Sequence, residues 1–299
     1  MTLILTVLSP SLVVQVSDRM VTSSGRTFHA AANKAVVFPA RDGFLSFGYT
    51  GNALFGGKPT DEWIAEQLWG IPLTQDMLFE LRTPSVTKPL GIPRRQNMDV
   101  GLAIRTLVAA VERESTKSLV ARVPYLQIVA AGWQNRKRLA RPTFYSLTKP
   151  ERSAAVQVAL DNQLQLRIYE TPLWTPNLPQ IHAELRALPV PALTPDGLIE
   201  YMSNVVRLVA GATPLVGADL TAIVMPVPWR DVVIEYHPGK IEGAIFSSPF
   251  IVGRTSLWYP AYLPTGAEIT SAGTKIIMRP QSGMDNNDNL FEGQPRRRG

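Results

Sequence analysis

Three residues near the start of the chain carry groups suited to acyl transfer. Thr2 follows Met1, Asp18 stands sixteen residues later, and Lys34 a further sixteen residues on. Methionine aminopeptidase generally removes an initiator Met that precedes a small residue, so Thr2 is expected to become the first residue. A hydroxyl is a weak nucleophile at neutral pH and needs a base. The freed α-amine has an ordinary pKa of about 7.7–8.0, close to working pH. It is also held covalently beside the hydroxyl it must serve, which lowers the entropic cost of alignment. Taken singly, a threonine after an initiator Met, a strand-end Asp, a lysine and a bend glycine such as Gly48 are all unremarkable. Their joint spacing is what draws attention.

Short β-rich segments must position these residues. Residues 2–8 and 12–18 read as a hairpin across Ser9-Pro10-Ser11. Residues 35–38 and 44–49 read as a second pair, with Asp42-Gly43 in the turn. If the first three strands run side by side, Thr2, Asp18 and Lys34 meet at one sheet edge. A helix is expected from Thr60 or Asp61 to Trp69, and a short one over 74–81. Pro84, Pro89 and Pro93 make 83–98 a loop insertion. Val100, Ile104, Leu107, Val108 and Val111 recur at helical spacing within 99–117. Strands are expected at 126–133, 143–147, 155–159 and 164–169. A second proline-rich insertion, 171–195, has room for a short helix over 181–188. A helix then opens at Asp196 and ends at Gly211. Strands at 220–225 and 232–236 follow, with shorter pieces to about 278. Residues 280–299 are polar and read as a disordered tail. The order strands, helices, strands, helix, strands implies an α+β domain over 1–279, with two sheets flanked by helices.

Composition narrows the chemistry. The 299 residues include no cysteine, which excludes disulfides, thiolate metal sites and a Cys nucleophile. The three histidines, His29, His182 and His237, form no H-E-x-x-H pattern, and no G-x-S-x-G elbow is present. No metal or cofactor is expected. The net charge of +6 comes partly from Arg94-Arg95, Arg136-Lys137-Arg138 and Arg296-Arg297-Arg298. Aromatic residues do not interleave with these clusters, so they read as solvated loops rather than a nucleic-acid surface. No apolar run has the length of a membrane span. The start at Leu3 lacks a basic leader and is broken by Ser9-Pro10, so a cytoplasmic protein is expected.

The segments around these residues resemble the proteasome β-type subunits and their bacterial relatives, members of the N-terminal-nucleophile hydrolases. V-V-Q-V-S-D-R at 13–19, N-K-A-V-V-F at 33–38 and F-G-Y-T-G-N-A at 47–53 resemble three opening blocks of that family. I-V-A-A-G-W at 128–133 and T-F-Y-S-L at 143–147 resemble its central hairpin, and V-G-A-D-L-T-A-I-V at 216–224 a later strand entry. The resemblance spans residues 2–55 closely and 99–149 and 196–236 loosely. It implies a four-layer αββα sandwich and assigns roles. Thr2 attacks an amide carbonyl, Lys34 eases proton transfer at Thr2, Asp18 orients Lys34, and the Gly48 N–H meets the oxyanion. It also implies a homo-oligomer, ring-like in many members, working on peptide or protein substrates, with an unfoldase as a further partner.

The sequence departs from the family in two places. No Gly-Ser-Gly stretch occurs between Trp133 and Pro195, and Thr213 and Val216 stand where an Asp and a Ser would support the nucleophile's amine. Ser203 and Asp219 are the candidate substitutes. Three readings follow: a threonine-type peptide hydrolase, a catalytically silent scaffold of the same fold, and an amidase acting on small molecules.

Overall fold

The structure is a computed structural model. It describes residues 2–23, 26–29, 32–73, 98–117, 125–136, 139–162, 167–170, 194–227, 232–237, 239, 246–247, 250–252, 257–258, 262–263 and 274–278. The expected helices at 74–81 and 181–188 and the tail at 280–299 lie outside these residues. So do nearly all of the insertions at 83–98 and 171–195.

The chain begins with β1 (Ile4–Leu8), β2 (Leu12–Asp18), β3 (Val21–Ser23), β4 (Arg26–His29), β5 (Ala35–Ala40), β6 (Gly43–Gly51), β7 (Leu54–Phe55) and β8 (Lys58–Pro59). Helices α1 (Thr60–Trp69) and α2 (Val100–Lys117) follow, then β9 (Leu126–Arg136), β10 (Leu139–Lys149), β11 (Gln157–Asp161) and β12 (Arg167–Glu170). After α3 (Pro195–Ala212) come β13 (Leu220–Pro226), β14 (Val232–His237), β15 (Phe246–Ser247), β16 (Phe250–Val252), β17 (Leu257–Trp258), β18 (Tyr262–Leu263) and β19 (Thr274–Met278).

Two sheets dominate this α+β fold. One has the order β12-β1-β2-β13-β14-β19, and the other β11-β10-β9-β6-β5-β16-β17. Among the described strands all pairs are antiparallel except β16 with β5. Every residue of β1 and β2 is buried. Such continuous burial means that both faces of these strands are covered, so the hydrophobic pattern runs on instead of alternating. Three apolar cores cover those faces and their counterparts. Leu3, Leu5, Val14 and Val16 cluster with Met202, Val206 and Val209 of α3. Ile4, Val13 and Ile223 cluster with Val37, Ala131 and Trp133 of the other sheet. Val36, Phe47 and Tyr49 cluster with Ile64 and Leu68 of α1 and Leu107 of α2. The Trp133 Nε1–H donates to the Met225 carbonyl at 2.8 Å, a polar tie between the sheets.

Local chemistry explains the helix ends. The Thr194 hydroxyl accepts from the Gly197 N–H at 3.1 Å, and Pro195 occupies the first helical turn of α3. Thr194 therefore caps a helix that begins at Pro195, one residue before the expected start at Asp196, and Gly211 lies inside its last turn rather than past its end. Neither Thr60 nor Asp61 caps α1. Pro59 holds that position, and the Thr60 hydroxyl donates to the Asn52 carbonyl at 2.8 Å. Gly70, at φ 82°, ends the helix in the left-handed region that glycine tolerates. Asp99 starts α2: its carboxylate accepts from the Leu102 N–H at 2.6 Å. Among the described residues no helix is long and apolar enough to cross a membrane.

The arrangement of the first strands corrects the expectation from sequence. Strands β1 and β2 lie in one sheet, and β5 lies in the other. The free edge of β2 is taken by β13, paired from Asp18↔Leu220 to Pro226↔Leu12. That leaves β5 to pair with β6 inside the other sheet. Thr2, Asp18 and Lys34 thus do not share one sheet edge.

Candidate active site

Asp18 closes β2 with its carboxylate fully buried. Oδ1 accepts from the Leu3 N–H at 2.9 Å. Oδ2 accepts from the Met20 N–H and the Gly217 N–H, each at 3.1 Å. The Lys34 ammonium completes the set, donating to Oδ2 at 3.1 Å. Four donors from four separate segments converge on one anion, and a buried carboxylate requires such satisfaction. Close approach makes the Gly217 contact possible: a Cβ there would lie 2.7 Å from the Cβ of Met20.

Lys34 precedes β5 and reaches across from the other sheet. Besides Asp18, its ammonium donates to the Met20 carbonyl. Burial pushes its pKa below the ordinary 10.5; Asp18 pulls it up, and the Arg19 guanidinium pushes it down. The result is a lysine that gives up its proton more readily than a solvated one while staying fixed by its carboxylate.

Thr2 is buried next to Leu3, whose N–H is the Oδ1 partner of Asp18. One carboxylate therefore joins the backbone beside Thr2 to the Lys34 ammonium. The Thr2 nitrogen donates to the Thr50 hydroxyl at 3.1 Å. Thr50 is the residue that the sequence reading missed. The signal was present: it lies two residues after Gly48 on the same strand, hence on the same face.

Gly48 stands near the end of its strand. It lies inside β6, paired with Ala35 on one side and Val129 on the other. It is the last residue of β6 that pairs with β5, while pairing with β9 continues to Gly51. Its lack of a side chain has a packing reason. A Cβ there would come within 2.9 Å of Ile4 Cδ1, on the face between the sheets.

The two candidate substitutes for the missing supporting groups differ in their partners. The Asp219 carboxylate accepts from the Tyr236 hydroxyl at 3.0 Å and the Gly239 N–H at 2.7 Å. Tyr236 in turn lies under the Arg19 guanidinium, 4.8 Å from its ring centre. Burial, with help from Asp219, pushes the Tyr236 hydroxyl up to about 12. Ser203 sits on the buried face of α3, and no partner for its hydroxyl is found among the described residues. Thr213 accepts from the Leu215 N–H at 3.3 Å, and Val216 joins the apolar core under α3. Where a supporting side chain was sought, a backbone N–H, that of Gly217, is what reaches the site. Among the described residues no three His, Asp or Glu side chains gather as a metal site would require.

No family model matches the chain, and no curated protein does. Among solved structures it is similar to the Anbu (Gly-1) mutant from Hyphomicrobium sp. strain MC1, with 12% identity and a TM-score of 0.47 over 76% of this chain and 82% of that one.

Proposed function

We propose that the protein is a threonine-type amide hydrolase with the proteasome-like αββα architecture, acting on peptide bonds. The single observation that carries this reading is the Asp18 carboxylate, which joins the Leu3 N–H beside Thr2 to a buried Lys34. The three cores support the layering: helix on sheet, sheet on sheet, sheet on helix. The domain is taken to run over 1–279. The resemblance in sequence is the support for a cytoplasmic homo-oligomer with an unfoldase partner.

Removal of Met1 would expose an amine at the nitrogen that now donates to Thr50. A neutral amine has two N–H bonds and one lone pair. Giving one N–H to the Thr50 hydroxyl fixes rotation about the N–Cα bond and leaves the lone pair free for the Thr2 hydroxyl. The amine then takes the hydroxyl proton as Oγ1 attacks the amide carbonyl. It returns the proton to the leaving nitrogen, and water hydrolyses the Thr2 ester. Lys34 favours this sequence because a nearby ammonium keeps the α-amine unprotonated and stabilises the developing oxyanion charge.

Intact mass and labelling by a threonine-directed electrophile test the proposal. Met1 should be absent, wild type should be labelled, and Thr2→Ala should not be. Retention of Met1, or labelling that survives Thr2→Ala, would exclude the mechanism. A second reading is a silent scaffold. It is favoured by the structural duty of Asp18, which ties three backbone N–H groups. Folded wild type that is never labelled would select that reading.

A further inference from the structure

A second buried carboxyl lies close behind the site. Asp61 stands in the first turn of α1 and is 7% exposed. Its Oδ2 accepts from Asn33 Nδ2 at 3.3 Å, and the same Nδ2 donates to the Ala35 carbonyl at 3.2 Å. Asn33 Oδ1 is buried without a hydrogen-bond partner. The Tyr49 hydroxyl donates to the Asn33 carbonyl at 3.3 Å. Asn33 leads directly into Lys34, and Tyr49 leads directly into Thr50.

We infer that Asp61 is a positioning residue for the Thr2 site, and that its protonation turns the Asn33 side chain and is read out at Lys34 and Thr50. This rests on the hydrolase reading for its catalytic consequence, not for the movement itself. An ionised carboxylate accepts from Nδ2. A protonated carboxyl carries an O–H that needs an acceptor. The orphaned Asn33 Oδ1 becomes that acceptor if the amide turns. Turning removes Nδ2 from the Ala35 carbonyl at the start of β5. The proton comes from solvent and returns to it.

The groups around Asp61 suit such a switch near neutrality. Burial pushes its carboxyl up to about 7; the N–H groups of Glu62 and of Asp61 itself pull it down, the Glu62 charge pushes it up, and Asn33 pulls it down. Burial also raises the Tyr49 hydroxyl well above 10, with Asp61 and Asp18 adding to the effect, so it remains a donor throughout. Lys58 from β8 pairs with Glu62 and Glu66. From α2, Arg113 donates to Gln67, and Glu112 accepts from the Val156 N–H. The residues of β5, β7 and β16 packed near α1 carry no titratable side chain.

Isotope-labelled full chain, titrated by NMR from about pH 5 to about pH 9, tests the switch. The Asp61 carboxyl carbon, the Asn33 side-chain amide and the backbone amides of Lys34 and Thr50 should share one midpoint near pH 7. Asp61→Asn should lose that step, and Thr2→Ala should keep it. A carboxyl midpoint below about pH 5, or Lys34 and Thr50 amides that stay flat through it, would overturn the inference. If Asp61→Asn does not fold, coincidence of the midpoints in wild type decides. Where wild type is labelled by the electrophile, the ratio of its labelling rate to that of Asp61→Asn should change at least about threefold between about pH 6 and about pH 8. A constant ratio would mean a merely structural Asp61. Absence of labelling sinks the hydrolase reading, and the NMR titration still decides this one.

Discussion

Asp18 and Asp61 are both buried carboxylates, but the chain surrounds them differently. Asp18 receives three backbone N–H groups and an ammonium. From side chains Asp61 receives one shared amide, and its first-turn N–H groups supply the rest. Burial of both therefore does not mean equal chemistry. Donors that converge from four segments make Asp18 a tie between the two sheets. Burial pushes the Asp61 carboxyl up to about 7 and its thinner donor set pulls it back only in part, so its charge can change in ordinary conditions. The contrast teaches that one carboxylate holds the site together and the other can modulate it.

The largest expected effect comes from breaking the stronger of the two. Asp18→Asn leaves the buried Lys34 ammonium without its counter-charge and with neutral acceptors such as the Met20 carbonyl. Loss of one member of a buried ion pair costs about 3–5 kcal/mol. Urea denaturation at neutral pH should show a loss of that size. A loss under about 1 kcal/mol would mean that the Asp18 cluster is not the tie between the sheets.

The pH dependence of stability sharpens the other half of the comparison. The Asp61 carboxyl is raised from 3.8 to about 7 on folding. Between those values the folded state keeps a proton that the unfolded chain releases. Stability contributed by this group is thus fully present below about pH 4 and is lost as pH rises towards about 7. The full span is on the order of 4 kcal/mol. Asp61→Asn has no such titration, so wild type should fall steadily relative to the variant across this window. Denaturant midpoints taken at intervals from about pH 4 to about pH 8 measure it, and parallel curves would contradict the raised carboxyl.

Gly217→Ala probes how Asp18 gathers its donors. A Cβ there would press on the Cβ of Met20 at 2.7 Å and on the Met20 nitrogen at 3.2 Å, so the backbone must shift. Overpacking of this kind costs about 1–3 kcal/mol. It should also draw the Gly217 N–H away from Asp18, and the Gly217 amide proton should exchange faster with solvent. Unchanged exchange would show that the loop yields elsewhere.

The sequence made Asp18 legible and Asp61 opaque for physical reasons. Asp18, Lys34 and Thr2 could be picked out because their spacing matches a known pattern and their strands have strong β character. What could not be read was that β5 belongs to the opposite sheet, since strand pairing depends on β13 claiming the edge of β2 from two hundred residues away. Strand alternation put Thr50 and Gly48 on one face, but only the register placed Thr50 against Thr2. Gly48 was expected near the end of a strand, and the register makes it the last residue of β6 that pairs with β5. Asp61 read as a helix-opening acid, the commonest role for an Asp before an apolar run. Its burial and its hydrogen bond to Asn33, 28 residues away in the chain, are tertiary facts.

The smallest stability effect should come from Tyr49→Phe, which tests whether the two carboxylate regions are connected at all. The substitution removes one hydroxyl that donates to the Asn33 carbonyl and keeps the ring in the core shared with α1 and α2. Such a bond contributes about 0.5–1.5 kcal/mol, so the fold should survive. Asp61 should still titrate near 7, because burial dominates its shift. The Lys34 amide should still follow that titration, since Asn33 precedes it in the chain. The Thr50 amide should stop following it, since its link runs through the Tyr49 hydroxyl. Measured together, the two amides separate a through-chain path from a through-bond path. A Thr50 response that persists in Tyr49→Phe would show that the coupling passes through the sheet itself, and that the Tyr49–Asn33 hydrogen bond only packs the space between the two acids.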